Sequence, residues 1–541
     1  MRIATRAREL AERDGTMLLF AGALMAYALT RLLWLERLPI SFLGDEAIHA
    51  ALGRRVFDTG LRGPDGSLLP VYFVNGLYWN LSLSVYLQGL TEALFGASVQ
   101  VARATNALVT VTGAVAVGLL AQTALGIRRG WLAILAFALA PGWLLLSRTA
   151  LEAPLAVSLY AWALLAYAHY SNSSRAAALP AAFVFAAAAA YAYAPFQAIV
   201  PLTAVVLAVA DRRHHARNLP TVRWSLALAL LLALPAMRFR LMHPDAAGDQ
   251  LSTLGSYMTS SMSLPDKLVR LAERWGECLS PHYWYSGAGD LARHRWGDRG
   301  HLPFVLAPLL ALGLVLAVRR ARGDAGARLV LIALLAAPAG AALTDGRGAT
   351  RLALVFLPAA LLTALGADWL LERIRPLRAR AATAAAVFVA GAAGAAGLLH
   401  EGLRDAPLWS RDYSLYGMQW GARQLYEDVI PDLLAREPEK IALSPTWANN
   451  TTQFGPFFLG DRVALDRLEL HDERYWTVAR NPIAPGGQIA ILPPSELANL
   501  KASGIARVTD VGVLRYPDGS RGFEIVRVSP ATGAQGTSAR R

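Results

Sequence analysis

Cysteine is all but missing. Cys278 is the single one in 541 residues, which excludes an internal disulfide and any cysteine-rich metal centre. Charge is scarce as well: only 17% of the residues are Asp, Glu, Lys or Arg, where a soluble domain carries about a quarter. No nucleotide-binding glycine loop and no internal repeat is evident. No small-residue cleavage site follows the basic N-terminus (Met1 to Arg13), so the first apolar run reads as a retained span. What fills the chain is hydrophobicity, 55% of residues with a mean hydropathy of +0.36. Apolar runs of about 17 to 25 residues recur, long enough to cross a bilayer as helices. The net charge of +13 therefore speaks for arginine in short loops on one membrane face, with no nucleic acid as partner.

The candidate spans are 16–35, 105–125, 130–147, 153–169, 176–193, 195–210, 224–240, 302–318, 329–344, 352–371 and 381–399. The fifth and sixth meet at Tyr191-Ala192-Tyr193-Ala194-Pro195, which demands a tight turn or a kink. Starting with Arg2, Arg6, Arg8 and Arg13 inside, alternation puts Arg128-Arg129, Arg175, the run from Arg212 to Arg217, Arg319 to Arg322 and Arg373 to Arg380 on the same face. That satisfies the positive-inside rule. The other face receives segment 36–104, the loop Ser147 to Glu152, segment 241–301, the loop Thr344 to Arg347 and the C-terminus. The reading is an α-helical polytopic membrane protein of about eleven spans in an inner (plasma) membrane. Its N-terminus is cytoplasmic and its C-terminus periplasmic or extracellular.

Three units are expected. Residues 1–400 form the membrane domain, 401–530 a small α/β domain outside the membrane, and 531–541 a disordered tail. In segment 36–104, Ile48, Ala51, Leu52 and Val56 recur at helical spacing, predicting an amphipathic surface helix from Asp45. Tyr72 to Phe95 reads as a second interfacial helix. In the C-terminal unit, Lys440 to Ser444 and Gln488 to Leu492 read as buried strands and Ser495 to Ser503 as a helix. Gly512 to Tyr516 and Gly522 to Val528 read as a hairpin.

Directly after the first apolar run stands Gly44-Asp45-Glu46-Ala47. Two acids beside a span are costly unless they face water, a partner or a substrate. A second motif, Ser147-Arg148-Thr149-Ala150-Leu151-Glu152-Ala153-Pro154-Leu155, opens the fourth span. Together with the topology these segments resemble the GT-C superfamily of membrane glycosyltransferases, and within it family 39, the protein O-mannosyltransferases and the lipid A aminoarabinose transferase with their bacterial relatives. That family usually has Asp where this chain has Glu152. The likeness covers roughly residues 15–400, and no motif is recognised in the tail.

The resemblance implies an inverting transfer of a hexosyl or pentosyl unit from a polyprenyl phosphate to the hydroxyl of a glycan, lipid or protein, at the outer membrane surface. It assigns the base to Asp45. Inversion needs one base on the face opposite the leaving phosphate. Glu46, about 100° away on a helix, is expected to orient or to bond a partner. The plain alternative for Asp45 is an N-cap. The leaving phosphate calls for external cations, for which Arg148, Arg347 and Arg351 are the candidates, against simple interfacial anchoring. Glu152 reads as a partner of Arg148 or a substrate contact. His49, one turn past Asp45, reads as a surface histidine or an acceptor contact. Pro281 to Tyr285 suits an aromatic belt or a sugar contact. Asn449-Asn450-Thr451 is a glycosylation triplet. A divalent cation bridging Asp45 and the phosphate stays open, although no cluster at metal spacing supports it. A lipid or sugar transporter or flippase, or a non-catalytic envelope assembly subunit, remain as alternatives.

Overall fold

The structure is a computed structural model that describes residues 2–531 except 64–65, 76–77, 174, 347, 410–417, 461, 478–482 and 484–485. Arg347 and the expected tail from residue 532 lie outside the described residues. Each of the eleven apolar segments contains helix. Among the described residues, six helices are long and apolar enough to cross a membrane by length and composition: Gly15–Leu32, Val99–Leu125, Leu219–Met242, Ala325–Leu343, Ala353–Leu371 and Leu377–Leu408. The chain is a multi-pass helical membrane protein with a small sheet domain at its C-terminal end.

Helix α1 (Arg2–Leu32) leads into α2 (Gly44–Asp58), a helix where the Asp45 periodicity predicts one, with most of its residues buried. The second expected surface helix is only half helix. Strands β1 (Tyr72–Asn75) and β2 (Tyr78–Leu81) pair as a hairpin before α3 (Ser82–Phe95). The aromatic and β-branched run and the Asn75-Gly76 turn signal favour the hairpin locally. Helix α4 (Val99–Leu125) follows, capped by the Ser98 hydroxyl. The third apolar segment is broken into α5 (Trp131–Ala138) and α6 (Pro141–Leu146), because the residue before a proline disfavours helical backbone. After α7 (Glu152–Ser173), helix α8 (Ala178–Ala192) and helix α9 (Phe196–Ala210) meet at an extended Tyr193 followed by Pro195, the tight turn expected there.

Ion pairs gather the basic loops at one end of the bundle. Arg129 binds Asp368 and Glu372, both at 2.7 Å, Arg380 binds Glu372, and Arg328 binds Asp211. Helices α2 and α3, the 287–301 and 344–351 loops and the C-terminal domain gather at the other end, joined by the contacts described below.

The C-terminal domain holds a five-stranded sheet of order β4-β3-β5-β7-β6. Strands β3 (Ile441–Leu443), β4 (Leu468–Leu470) and β5 (Gln488–Leu492) run parallel, and β6 (Ala506–Arg515) and β7 (Arg521–Pro530) form the expected hairpin. The helix Pro494–Ser503 also lies where the sequence indicates. Only β4, three residues long, gives no usable pattern. This domain shares a core with the membrane domain, where Phe42, Ala47 and Ala50 pack with Trp420, Tyr426 and Phe457. Phe42 lies 4.8 Å from Phe457 and 5.7 Å from Phe458, ring to ring. Such aromatic pairs add about 0.5–1.5 kcal/mol each beyond burial. Gly44 makes the approach possible: a Cβ there would fall 2.1 Å from the Asn449 carbonyl oxygen.

Candidate active site

Leu43 is the N-cap residue of α2, and the Glu46 carboxylate accepts its backbone N–H at 3.1 Å. The capping role that the sequence left open for Asp45 thus belongs to Glu46. Glu46 is fully buried and held on both oxygens. Arg103 donates from Nε to Oε2 and from Nη2 to Oε1, each at 3.0 Å, and the Ala150 N–H adds a bond at 2.8 Å. Arg103, also buried, further serves the carbonyls of Leu35, Pro39 and Ser41. A carboxylate so enclosed fastens α2 to α4 and to the 146–151 loop, and it has no face left for a substrate. Arg103 is thus the partner expected for Glu46.

Arg148 is enclosed in the same way. It is fully buried and donates to the carbonyls of Leu38, Thr30, Leu33 and Trp34. Carbonyls at a helix C-terminus lack intrahelical partners, and a guanidinium satisfies several at once. Arg148 therefore closes the end of α1 and makes no ion pair with Glu152.

Glu152, at the first turn of α7, instead meets His49 at 3.2 Å from Nε2, with the Asn80 amide 3.3 Å from the same nitrogen. His49 is buried, against the expectation of a surface histidine. Asp45, His49 and Glu152 thus come together. Asp45 is half-buried, and its carboxyl is pushed above the usual carboxylate range by burial and by the nearby Glu152 charge. Hydrogen bonds from Asn449 and Asn450 and the Arg293 charge oppose that rise. The amide nitrogen of Asn449 lies 3.1 Å from both Asp45 oxygens, and that of Asn450 lies 2.7 Å from Oδ1.

Arg293 is the cation facing Asp45, and it also faces Asp290. The Asp290 side chain is buried and accepts from the Tyr283 hydroxyl at 3.0 Å, the Leu291 N–H at 2.8 Å and the Ala349 N–H at 2.7 Å. Burial alone would raise its carboxyl. The adjoining His294 and His301 outweigh that and hold it well below the usual range. Asp290 so pins the Arg293 loop to the 344–351 loop. There Arg351 uses Nη1 to bind Thr344 at 2.9 Å and the Gly346 carbonyl at 3.0 Å. Tyr193, bonded to Thr350, lies within electrostatic reach of Glu152, Arg351 and Asp45. Tyr283 and Trp284 are buried in packing, while Pro281 and His282 are exposed and Tyr285 is half-buried.

A narrow cleft opens beside Leu43, between Leu38, Thr149, Leu151 and Met418, with Arg293, His294 and Arg295 as its basic wall. Among the described residues no group of three His, Cys, Asp or Glu side chains comes together as a metal set.

Sequence reasoning missed Arg103, Arg293, Asp290 and the contact of Asn449-Asn450 with Asp45. A lone arginine at the edge of a long apolar run signals Arg103. The others come from loops distant in sequence and give no such sign.

No family model and no curated protein matches the chain. Solved structures do. ArnT from Cupriavidus metallidurans bound to undecaprenyl phosphate superposes with a TM-score of 0.56 at 13% identity, covering 95% of this chain and 98% of ArnT. The apo state of the same ArnT gives 0.57 at 14%, covering 96% and 99%. The archaeal oligosaccharyltransferase AglB from Archaeoglobus fulgidus, in complex with an inhibitory peptide and a dolichol-phosphate, gives 0.52 at 12%, covering 94% of this chain and 74% of AglB. The chain therefore has the fold of the GT-C membrane glycosyltransferases.

Proposed function

We propose that the protein is an inverting glycosyltransferase that moves a sugar from a polyprenyl-phosphate donor to an acceptor hydroxyl on the extracytoplasmic face. The observation that carries this reading is Asp45 itself. It is a half-buried carboxylate with raised proton affinity, relieved of capping by Glu46 and facing the Arg293 charge. The GT-C fold supports it, since ArnT and AglB were both captured with a polyprenyl-type phosphate.

In the proposed step the acceptor oxygen attacks the anomeric carbon and forms the new glycosidic bond. The bond from that carbon to the phosphate oxygen breaks, and its electron pair leaves with the lipid phosphate. The acceptor proton passes to Asp45. Arg293 and Arg351 stabilise the charge growing on the phosphate. Arg347, four positions before Arg351 in the sequence, is kept as a third candidate. Glu152 and His49 hold the floor of the site, and the Glu152 charge keeps Asp45 basic. In this reading the site and the C-terminal domain face the periplasm or exterior of an inner membrane, and the N-terminus faces the cytoplasm.

The test is transfer from radiolabelled polyprenyl-phosphate sugars in proteoliposomes. Asp45→Asn should lower turnover roughly a hundred- to ten-thousand-fold at equal protein abundance, and mass spectrometry of the purified protein should reveal a bound polyprenyl phosphate. Equal turnover of Asp45→Asn and wild type would refute the base. A lipid flippase, by contrast, would move the donor across the bilayer without breaking its sugar–phosphate bond.

A further inference from the structure

We propose that Asn449 and Asn450 of the C-terminal domain are positioning residues for Asp45. Their amides fill Oδ1 and leave Oδ2 to receive the acceptor's proton, so the site is complete only with that domain docked. The inference rests on the reading of Asp45 as the base.

An ionised carboxylate offers about four lone-pair positions. Asn450 takes one on Oδ1, at 2.7 Å, and Asn449 bridges both oxygens at 3.1 Å. Oδ1 therefore carries two donors and Oδ2 one. The less occupied oxygen is the one with room for an incoming hydroxyl. Hydrogen bonds to the charged form also favour it, and they offset burial and the Glu152 charge at a base that must be ionised to work.

The loop that delivers the amides is built to stay in place. At its start, Ser444 donates to the buried Glu496 at 2.7 Å, and Thr446 binds the same oxygen. In its middle, Trp447 stacks on Phe454, 5.3 Å between ring centres. Asn450 has left-handed backbone, φ 52° and ψ 34°, a conformation in which asparagine is the favoured residue after glycine. Around the loop the domain is fastened to the first external segment. Ser41 binds the Met418 carbonyl, Arg54 binds those of Pro456 and Phe457 at 3.1 and 3.3 Å, and Arg423 binds that of Glu36 at 3.0 Å. The other titratable groups facing Asp45 are Glu152 on α7, Arg293 from the 287–301 loop and Tyr193 between α8 and α9; His49 stands behind Glu152.

The test needs neither donor nor acceptor. Full-length protein in phospholipid nanodiscs is treated with dicyclohexylcarbodiimide, which reacts with protonated carboxyls, across a pH series. Labelling at Asp45 is read by peptide mass spectrometry. Asn450→Gly removes the amide while suiting the left-handed backbone, and Asn449→Ser removes the other amide. In each variant the labelling midpoint should rise by about one pH unit, since each lost bond to the charged form favours protonation. An unchanged midpoint, or a fall such as added water would give, overturns the proposal. Failure of both variants to fold also overturns it, by assigning the amides to the domain joint. Retained turnover in Asp45→Asn would remove the base instead, so the two readings fail separately.

Discussion

Replacing Glu46 by Gln keeps the shape of the side chain and removes half of its acceptors. Oε1 can still receive Leu43 N–H and Arg103 Nη2, but the new amide group stands where Oε2 received Arg103 Nε and Ala150 N–H. Two donors then face a donor in a site with no access to water. Removing one partner of a buried pair costs about 3–5 kcal/mol, because the remaining charge is uncompensated. That is a large share of a typical folding stability of about 5–15 kcal/mol. Cys278, buried and the single cysteine of the chain, is the natural reporter: a thiol-reactive dye follows its exposure on heating. Glu46→Gln should melt well below wild type and accumulate poorly in membranes, while the fraction that folds keeps turnover within a few-fold. Asp45→Asn should do the reverse. Replacing both Glu46 and Arg103 with apolar residues should restore only part of the loss, since the carbonyls of Leu35, Pro39 and Ser41 would lose Arg103. A Glu46→Gln protein that melts like wild type yet has lost turnover would refute this assignment and return Glu46 to the chemistry.

Arg148→Lys should lower the melting midpoint nearly as much as Arg148→Ala, because an ammonium cannot fork to four carbonyls; unchanged melting with impaired donor saturation would restore Arg148 as a phosphate ligand. Arg293→Ala should raise the donor KM about tenfold or more with little change in melting, and an unchanged KM removes it from the donor site. Asp290 has its carboxyl held down in the fold, so it stabilises the protein above an unfolded value of about 3.9 and loses that contribution as pH falls through the folded value. The gap in melting midpoint between wild type and Asp290→Asn should accordingly be full at neutral pH and shrink below about pH 4. A reporter active only in the cytoplasm should be silent after Arg541 and active near Arg322 or Arg378, and the opposite pattern would invert the proposed orientation.

The sequence by itself determined the fold class, the helix at Asp45 and most of the C-terminal strands. These follow from local physics: apolar runs of bilayer length, arginines between them, and side-chain periodicity that a chain carries whatever its partners. It also brought forward Asp45, His49 and Glu152, because acids beside a span are conspicuous. Only the tertiary structure decided what each charged group does. Glu46 and Arg148 look as exposed as Asp45 in the sequence, yet one is sealed against Arg103 and the other closes the end of α1. Arg293 and the Asn449-Asn450 amides reach Asp45 from segments hundreds of residues away. Burial and hydrogen-bond partnership are properties of the packed fold, so no spacing rule along the chain could have distinguished a buried fastener from a group left open to substrate.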